Sequence, residues 1–252
     1  MERVSRHNLI KRLQVGLPRG APFDASMLNK LGISAQAASH YAKEGWLVRI
    51  GHGVYAFPND ELTAHGMVKF LQNRIKGLHI GGKSALALQG VRHNLRTREQ
   101  LVLWGDSRYE LPQWFTSQQP ARYLSVKLFK WIDEELSDLT LTTPPGVTAE
   151  LLVSTPERSA MEMLFDVGKK ESVEEARNIF DGLTNLRRDV TGRLLACCKS
   201  VKTVRLFLTW ARETQVFDVD ALREMYPLQV GSQKRWMHRL KDGTLLSLKP
   251  YG

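Results

Sequence analysis

The sharpest chemical motif in this chain is an eight-residue stretch. Gly77-Leu78-His79-Ile80-Gly81-Gly82-Lys83-Ser84 satisfies the spacing G-x-x-x-x-G-K-[ST]. In a phosphate-binding loop of that pattern, backbone amides cradle the phosphates, the lysine pairs with phosphate oxygens and the serine holds magnesium. The flanks argue against it here. Such a loop must follow a buried strand, whereas Asn73-Arg74-Ile75-Lys76 end an amphipathic helical pattern. Leu78 and Ile80 alternate as in a strand, inside the stretch a loop would occupy. No apolar strand ending in Asp supplies a second magnesium motif. The competing reading is a strand, a glycine turn and a helix packed closely on a sheet.

Other catalytic groups are sparse. Asp133-Glu134-Glu135 reads as a solvated loop face rather than paired catalytic carboxylates. His65, His79 and His93 lack metal-ligand spacing. Ser154 and Ser159 have no identifiable base. Cys197 and Cys198 adjoin in the apolar run RLLACC and read as core thiols rather than nucleophiles. Two adjacent cysteines exclude a disulfide framework and fit a reducing compartment. The reading is a cytoplasmic, non-enzymatic protein with no cofactor and no metal.

A second constellation suits polyanion recognition. Gln36, Ser39, His40 and Lys43 share one face at helical spacing, Ser34 precedes them, and Arg49 and His52 follow. We expect Gln36, Ser39 and His40 near base edges of double-stranded DNA, with Lys43 and Arg49 on phosphates. Each has a plainer alternative. His40 and Lys43 can be solvated surface residues, Arg49 can pair with Glu44, and His52 can be a turn residue only.

The elements that must position these residues are legible in DASMLNKLGISAQAASHYAKEGWLVRIGHGVYAFP, residues 24–58. Asp24 is a good N-cap, and Met27, Leu28 and Leu31 form one apolar helical face. Gly32 suits the left-handed residue that stops a helix, and Ile33 packs between the two helices. Ser34 caps a second helix that runs to about Glu44, with Ala38, Tyr41 and Ala42 inward. Its alanines keep it slim enough for a major groove. After Gly45, the runs 47–50 and 54–57 flank Gly51-His52-Gly53 as a hairpin. The order helix, turn, helix, hairpin predicts a winged helix-turn-helix, which lays its second helix in the major groove and its wing on the adjacent backbone.

The chain has 252 residues, enough for two modest domains. Its 36 Lys and Arg against 26 acidic residues give a formal charge of +10, which favours a polyanionic partner. No apolar run suggests a signal peptide or a membrane span, so no membrane partner is expected. Residues 5–14 predict a first amphipathic helix with Leu9, Ile10 and Leu13 inward. A helix follows over 61–76, then a short strand at 78–80 and a helix at 83–89. Strands are predicted at 100–104 and 123–129, with shorter ones around 109–115, 139–142 and 147–153. Thr155-Pro156-Glu157 is a strong helix start, and helices are predicted to about 167 and over 172–183, 189–198, 200–213 and 218–226. The end, 236–250, predicts a hairpin around Asp242-Gly243. The fold class is therefore α+β. A winged helix-turn-helix over 1–58 precedes a larger mixed α/β domain over 61–252, β-rich to about 153 and mostly helical after. Arg92, Arg96 and Arg98, together with Arg187, Arg188, Arg193, Lys199, Lys202 and Arg205, could hold nucleic-acid backbone or a protein partner.

Three segments in this order, LGISAQAASHYAKEGWLVRIGHGVYAFP, IGGKSALALQG and VSTPERSAMEML, resemble AbiEi-type antitoxins of type IV bacterial toxin–antitoxin systems. The resemblance implies a winged-helix transcriptional autorepressor that binds inverted repeats in its own promoter. It also implies a C-terminal domain that neutralises a nucleotidyltransferase-type toxin, the cognate partner. On that resemblance the recognition helix is 34–43, the wing is 49–55, and Gly81-Gly82-Lys83-Ser84-Ala85-Leu86 is structural. Two rival readings stand beside it: a stand-alone winged-helix transcription factor with a ligand-sensing C-terminal domain, and an ATP-binding protein using 77–84.

Overall fold

A computed structural model describes residues 13, 15–91, 100–130, 132–144, 146, 150–239, 243 and 245–250. Most of the predicted first helix, the arginines at 92, 96 and 98, and Asp242 lie outside those residues.

The first strand among the described residues is one that the sequence pattern does not announce, β1 (Phe23–Asp24). Helices α1 (Ala25–Lys30) and α2 (Ala35–Lys43) follow, then the wing strands β2 (Val48–Gly51) and β3 (Val54–Ala56). The three strands form an antiparallel sheet in the order β1-β3-β2. Phe23, Leu28, Ile33, Ala38, Leu47 and Tyr55 close the core of this winged helix, joined by Leu13. Gly32 sits at φ +81, the left-handed geometry that ends α1 without a Cβ penalty.

Beyond it come α3 (Ala64–Gln72), β4 (His79–Ile80), α4 (Gly82–Leu88), β5 (Leu101–Trp104), α5 (Gln113–Thr116), β6 (Ala121–Leu124), α6 (Glu134–Thr140), β7 (Leu141–Thr142) and β8 (Val153–Ser154). Strands β4 to β8 form a mixed five-stranded sheet in the order β6-β5-β4-β8-β7. β4 runs antiparallel to β5 and parallel to β8, and β5 runs parallel to β6. β5 reads LVLW because both of its faces are buried. Leu101 and Leu103 pack with α3 residues such as Val68 and Leu71, and Val102 and Trp104 turn to a larger helical core.

That larger core is built on α7 (Pro156–Asp166), α8 (Val173–Asp181), α9 (Arg188–Cys197), α10 (Val201–Thr214) and α11 (Val219–Met225). A final hairpin, β9 (Trp236–Arg239) with β10 (Leu245–Leu248), packs on it through Trp236, Leu246 and Leu248. The architecture is mixed α and β, as expected, and the helical C-terminal part follows its predicted boundaries closely.

The strands expected around 139–142 and 147–153 are the short β7 and β8, with residues 139–140 still in α6 and residues 147–149 outside the described residues. The middle of the chain differs from the expected pattern at three further places. The strand expected around 109–115 is absent, and α5 starts there after Pro112, burying Phe115 completely. The strand expected over 123–129 is β6, shifted to Ala121–Leu124. Residues 126–130 leave the sheet and fasten to the end of α9, where the Lys130 amide donates to Cys197 and the Lys199 amide to Leu128. The acidic run Asp133-Glu134-Glu135 opens a helix rather than a loop, with the Asp133 carboxylate accepting from the Leu136 amide at 2.7 Å.

Candidate nucleic-acid interface

Helix α2, the candidate recognition helix, starts because Ser34 is extended and its Oγ accepts from the Ala37 amide at 3.2 Å. Ala38 is fully buried, and Ala37, Tyr41 and Ala42 pack partly against the winged-helix core. That orientation leaves Gln36, His40 and Lys43 exposed, with Ser34 exposed at the start and Ser39 half-buried beside them. No acidic residue lies in the first turn of α2, and His40 and Lys43 occupy its last turn. The outer face therefore offers neutral donors and acceptors along its length and a cation at its end.

The wing adds a second approach. Arg49 is exposed on β2, and its Nε donates to the Gly51 carbonyl at 3.3 Å. That bond, beside a bulge between Arg49 and Gly51, fixes the stem of the side chain near the wing tip. Among the described residues, no ion pair joins Arg49 to Glu44. His52 is exposed at the tip, before Gly53 at φ +67. The structure thus puts the seven sequence-read residues on two elements, five on α2 and its cap and two on the wing.

Three supports of this surface were not read from the sequence. Arg74, just past α3, holds the α1 cap. Its Nη2 donates to the Asp24 Oδ2 at 2.6 Å while Asp24 Oδ1 accepts from the Met27 amide at 2.8 Å. Burial raises the Asp24 pKa, but the Met27 amide and the Arg74 guanidinium outweigh it and hold the carboxyl below its usual value. Trp114 on α5 lies against the wing. A Cβ at Gly51 would come 2.9 Å from the indole Cδ1, so glycine permits the close approach. Thr63 ties the connection after the wing to the entry of β1, its amide donating to the Gly20 carbonyl at 2.8 Å. Trp114 is an apolar residue within a polar stretch, which was a usable signal; Arg74 carried none.

The stretch at 77–84 is bound up with the protein itself. Glu162 on α7 is wholly buried, and its Oε2 accepts from the Gly82 amide at 3.0 Å and from Ser154 Oγ at 2.8 Å. Its Oε1 lies 3.0 Å from His79 Nε2 and 2.9 Å from Arg158 Nε. Burial raises the Glu162 pKa, yet His79, Arg158 and these donors outweigh it and hold the carboxyl at about 2. Lys83 pairs with Glu171 at 3.1 Å and Glu175 at 3.2 Å, and Ser84 Oγ accepts from the Val102 amide. The groups that a phosphate loop would present to a nucleotide are engaged in joining β4, α4, β5 and α7.

Several basic residues that the sequence leaves open for a polyanion are also engaged internally. Arg187 clasps the buried Glu157 through Nε and Nη2, both at 2.9 Å. Arg193 pairs with Glu135 and Asp133. Arg205 is almost fully buried and donates to the carbonyls of Val230, Ser232 and Lys234. Lys202 donates to the Phe165 and Val167 carbonyls at 2.6 and 2.7 Å, and burial lowers its pKa to about 8. Cys197 and Cys198 are buried, and burial pushes their thiols up to about 11 and about 12, which suits core residues. Among the described residues no cluster of His, Cys, Asp and Glu could hold a metal, and no helix is long and apolar enough to cross a membrane.

Comparison with known families matches two profiles in succession. Residues 6–97 match the family described as the transcriptional regulator AbiEi antitoxin N-terminal domain. Residues 98–249 match the family described as the transcriptional regulator AbiEi antitoxin of type IV toxin–antitoxin systems. No curated protein matches. The fold is similar to the crystal structure of the RV2827C protein from Mycobacterium tuberculosis, at 14% sequence identity and a TM-score of 0.57. That similarity covers 91% of this chain and 87% of the other.

Proposed function

Since the chain belongs to the AbiEi antitoxin family, the transcriptional regulators of type IV toxin–antitoxin systems, we propose that it binds double-stranded DNA at inverted repeats in its own promoter and represses its operon. The observation that carries this reading is the outward face of α2, where Gln36, His40 and Lys43 are exposed above a buried Ala38. Arg49 flanks it from the wing. In the major groove, Gln36, Ser39 and His40 meet base edges. Lys43 and Arg49 meet phosphates, the Ser34 hydroxyl meets backbone at the helix start, and His52 reaches the strand beside the wing. The second half of the proposal is that the remainder of the chain neutralises a nucleotidyltransferase-type toxin. Family membership supports this half. No step of it calls for catalysis by this chain.

The test is a gel shift of the full-length protein on its own upstream DNA, with scrambled competitor, at two salt concentrations. A specific, salt-sensitive shift is expected, because phosphate contacts release counterions. Lys43→Ala and Arg49→Ala should weaken binding to all sequences, and Gln36→Ala should relax sequence preference. Binding unaffected by all three substitutions would overturn the assignment of this face.

A further inference from the structure

A cavity of about 390 Å³ opens between the 126–130 segment, the ends of β4 and β5, and the start of α7. Its size falls within the roughly 300–1,000 Å³ of small-molecule sites. It lies wholly outside the winged helix. Its walls are pre-formed, because the 126–130 backbone is fastened to the end of α9 at Leu128 and Lys130.

The lining is cationic. Lys76, Lys127, Lys130 and Arg158 face it, against Asp106 and Glu162, with His79 at its base. Glu162 is already matched by His79 and Arg158. Among the described residues, no ion pair holds Lys76, Lys127 or Lys130. Lys127 and Lys130 are exposed, so they can reach an incoming ligand. An excess of positive charge around a concave wall selects a polyanion, and phosphate is the small-molecule group that best uses several lysines and an arginine together.

The remaining walls are aromatic and apolar, formed by Trp104, Phe129 and Ile132. Trp104 is buried in the floor of the cavity, whereas the Phe129 ring is partly exposed. Asp106 adds a carboxylate acceptor suited to a hydroxyl or amino group. Cations, a partly exposed aromatic ring and a carboxylate acceptor together match the parts of a nucleoside phosphate. We propose that this cavity binds a mononucleotide, its phosphates on Lys127, Lys130 and Arg158 and its base against Phe129. Such a site would give the regulator a small-molecule input separate from its DNA-binding face; of residues 77–84 it takes in His79, while Lys83 and Ser84 lie outside its lining.

Isothermal titration of the full-length protein with ATP, GTP, CTP and UTP, without added metal, tests this directly. Adenosine and inorganic pyrophosphate serve as the two halves of the ligand. The expected result is saturable one-to-one binding of at least one nucleotide, with each half binding much more weakly. The double substitution Lys127→Glu and Lys130→Glu lies on exposed positions and should leave the melting temperature unchanged. It should abolish measurable nucleotide binding. No saturable binding of any nucleotide, binding that survives the double substitution, or pyrophosphate binding as tightly as the nucleotides would each overturn the proposal. None of these outcomes depends on whether the protein binds DNA.

Discussion

Replacing Glu162 by glutamine changes one oxygen into an amide nitrogen at nearly constant volume, in a densely connected buried polar site. The carboxylate faces four donors within 3.0 Å, at His79, Gly82, Ser154 and Arg158. A glutamine can accept on one side only. If its oxygen faces His79 and Arg158, its NH2 confronts the Gly82 amide, and a buried donor is left unpaired at about 1–3 kcal/mol. The charge is lost in either orientation, leaving Arg158 without its buried counter-ion. Breaking one side of a buried pair costs about 3–5 kcal/mol. The carboxyl's own position agrees in size: being held at about 2 rather than 4.5 corresponds to about 3 kcal/mol at neutral pH. We therefore expect Glu162→Gln to lose about 3–5 kcal/mol in urea unfolding at pH 7, and about 6–20 °C in melting temperature for a chain of this size. The pH dependence gives a second readout. The folded pKa lies below the unfolded one, so this stabilisation is present above about pH 4.5 and lost as the pH falls toward 2. The variant should therefore fall less steeply than the wild type across that window. A variant within about 1 kcal/mol of wild type at pH 7 would refute the view that this carboxylate clamps β4, α4 and α7 together.

Three further outcomes are expected. Asp24→Asn keeps a capping oxygen but loses the ion pair to Arg74, whereas Asp24→Ala loses both; the alanine variant should be the less stable by about 1 kcal/mol in thermal unfolding. Lys83→Met should lower stability by about 1–3 kcal/mol, because it strands the buried Glu171, while leaving nucleotide affinity in titration unchanged; a selective loss of nucleotide binding would instead revive the phosphate-loop reading of 77–84. Lys43→Ala and Arg49→Ala should each reduce the slope of log affinity against log salt by about 1 in DNA binding, if each neutralises one phosphate.

Much of the winged helix is set by neighbours in sequence. Asp24 and Ser34 cap helices whose third residue supplies the bonded amide, so the signal and its partner lie within four positions. Thr155-Pro156 also marks the start of α7 locally, through the proline at the first helical position and without a capping bond from the Thr155 side chain, and the expected and observed starts coincide. The face of α2 follows as well, because burying Ala38 fixes by helical geometry that Gln36, His40 and Lys43 point outward. The errors fall where packing overrides pattern. Residues 109–115 alternate like a strand, but Pro112 and the burial of Phe115 make a helix. Asp133 was a legible cap that its acidic neighbours disguised as a loop.

What the sequence determined by itself is the winged helix-turn-helix, the α+β class and the order of the C-terminal helices, which rest on local periodicity, caps and glycine stops, and the AbiEi family, through the resemblance of three segments. The tertiary structure decided which groups are free to act. β3 shows this most simply: Tyr55 faces the winged-helix core while Val54 faces the core under the five-stranded sheet, so all three of its residues are buried. Lys83 meets Glu171 across 88 residues, and Arg74 meets Asp24 across 50. The physical reason is that a charge has no local signature for its partner. Whether a lysine holds a phosphate, a carboxylate or only water depends on which distant chain segment the packed cores bring beside it.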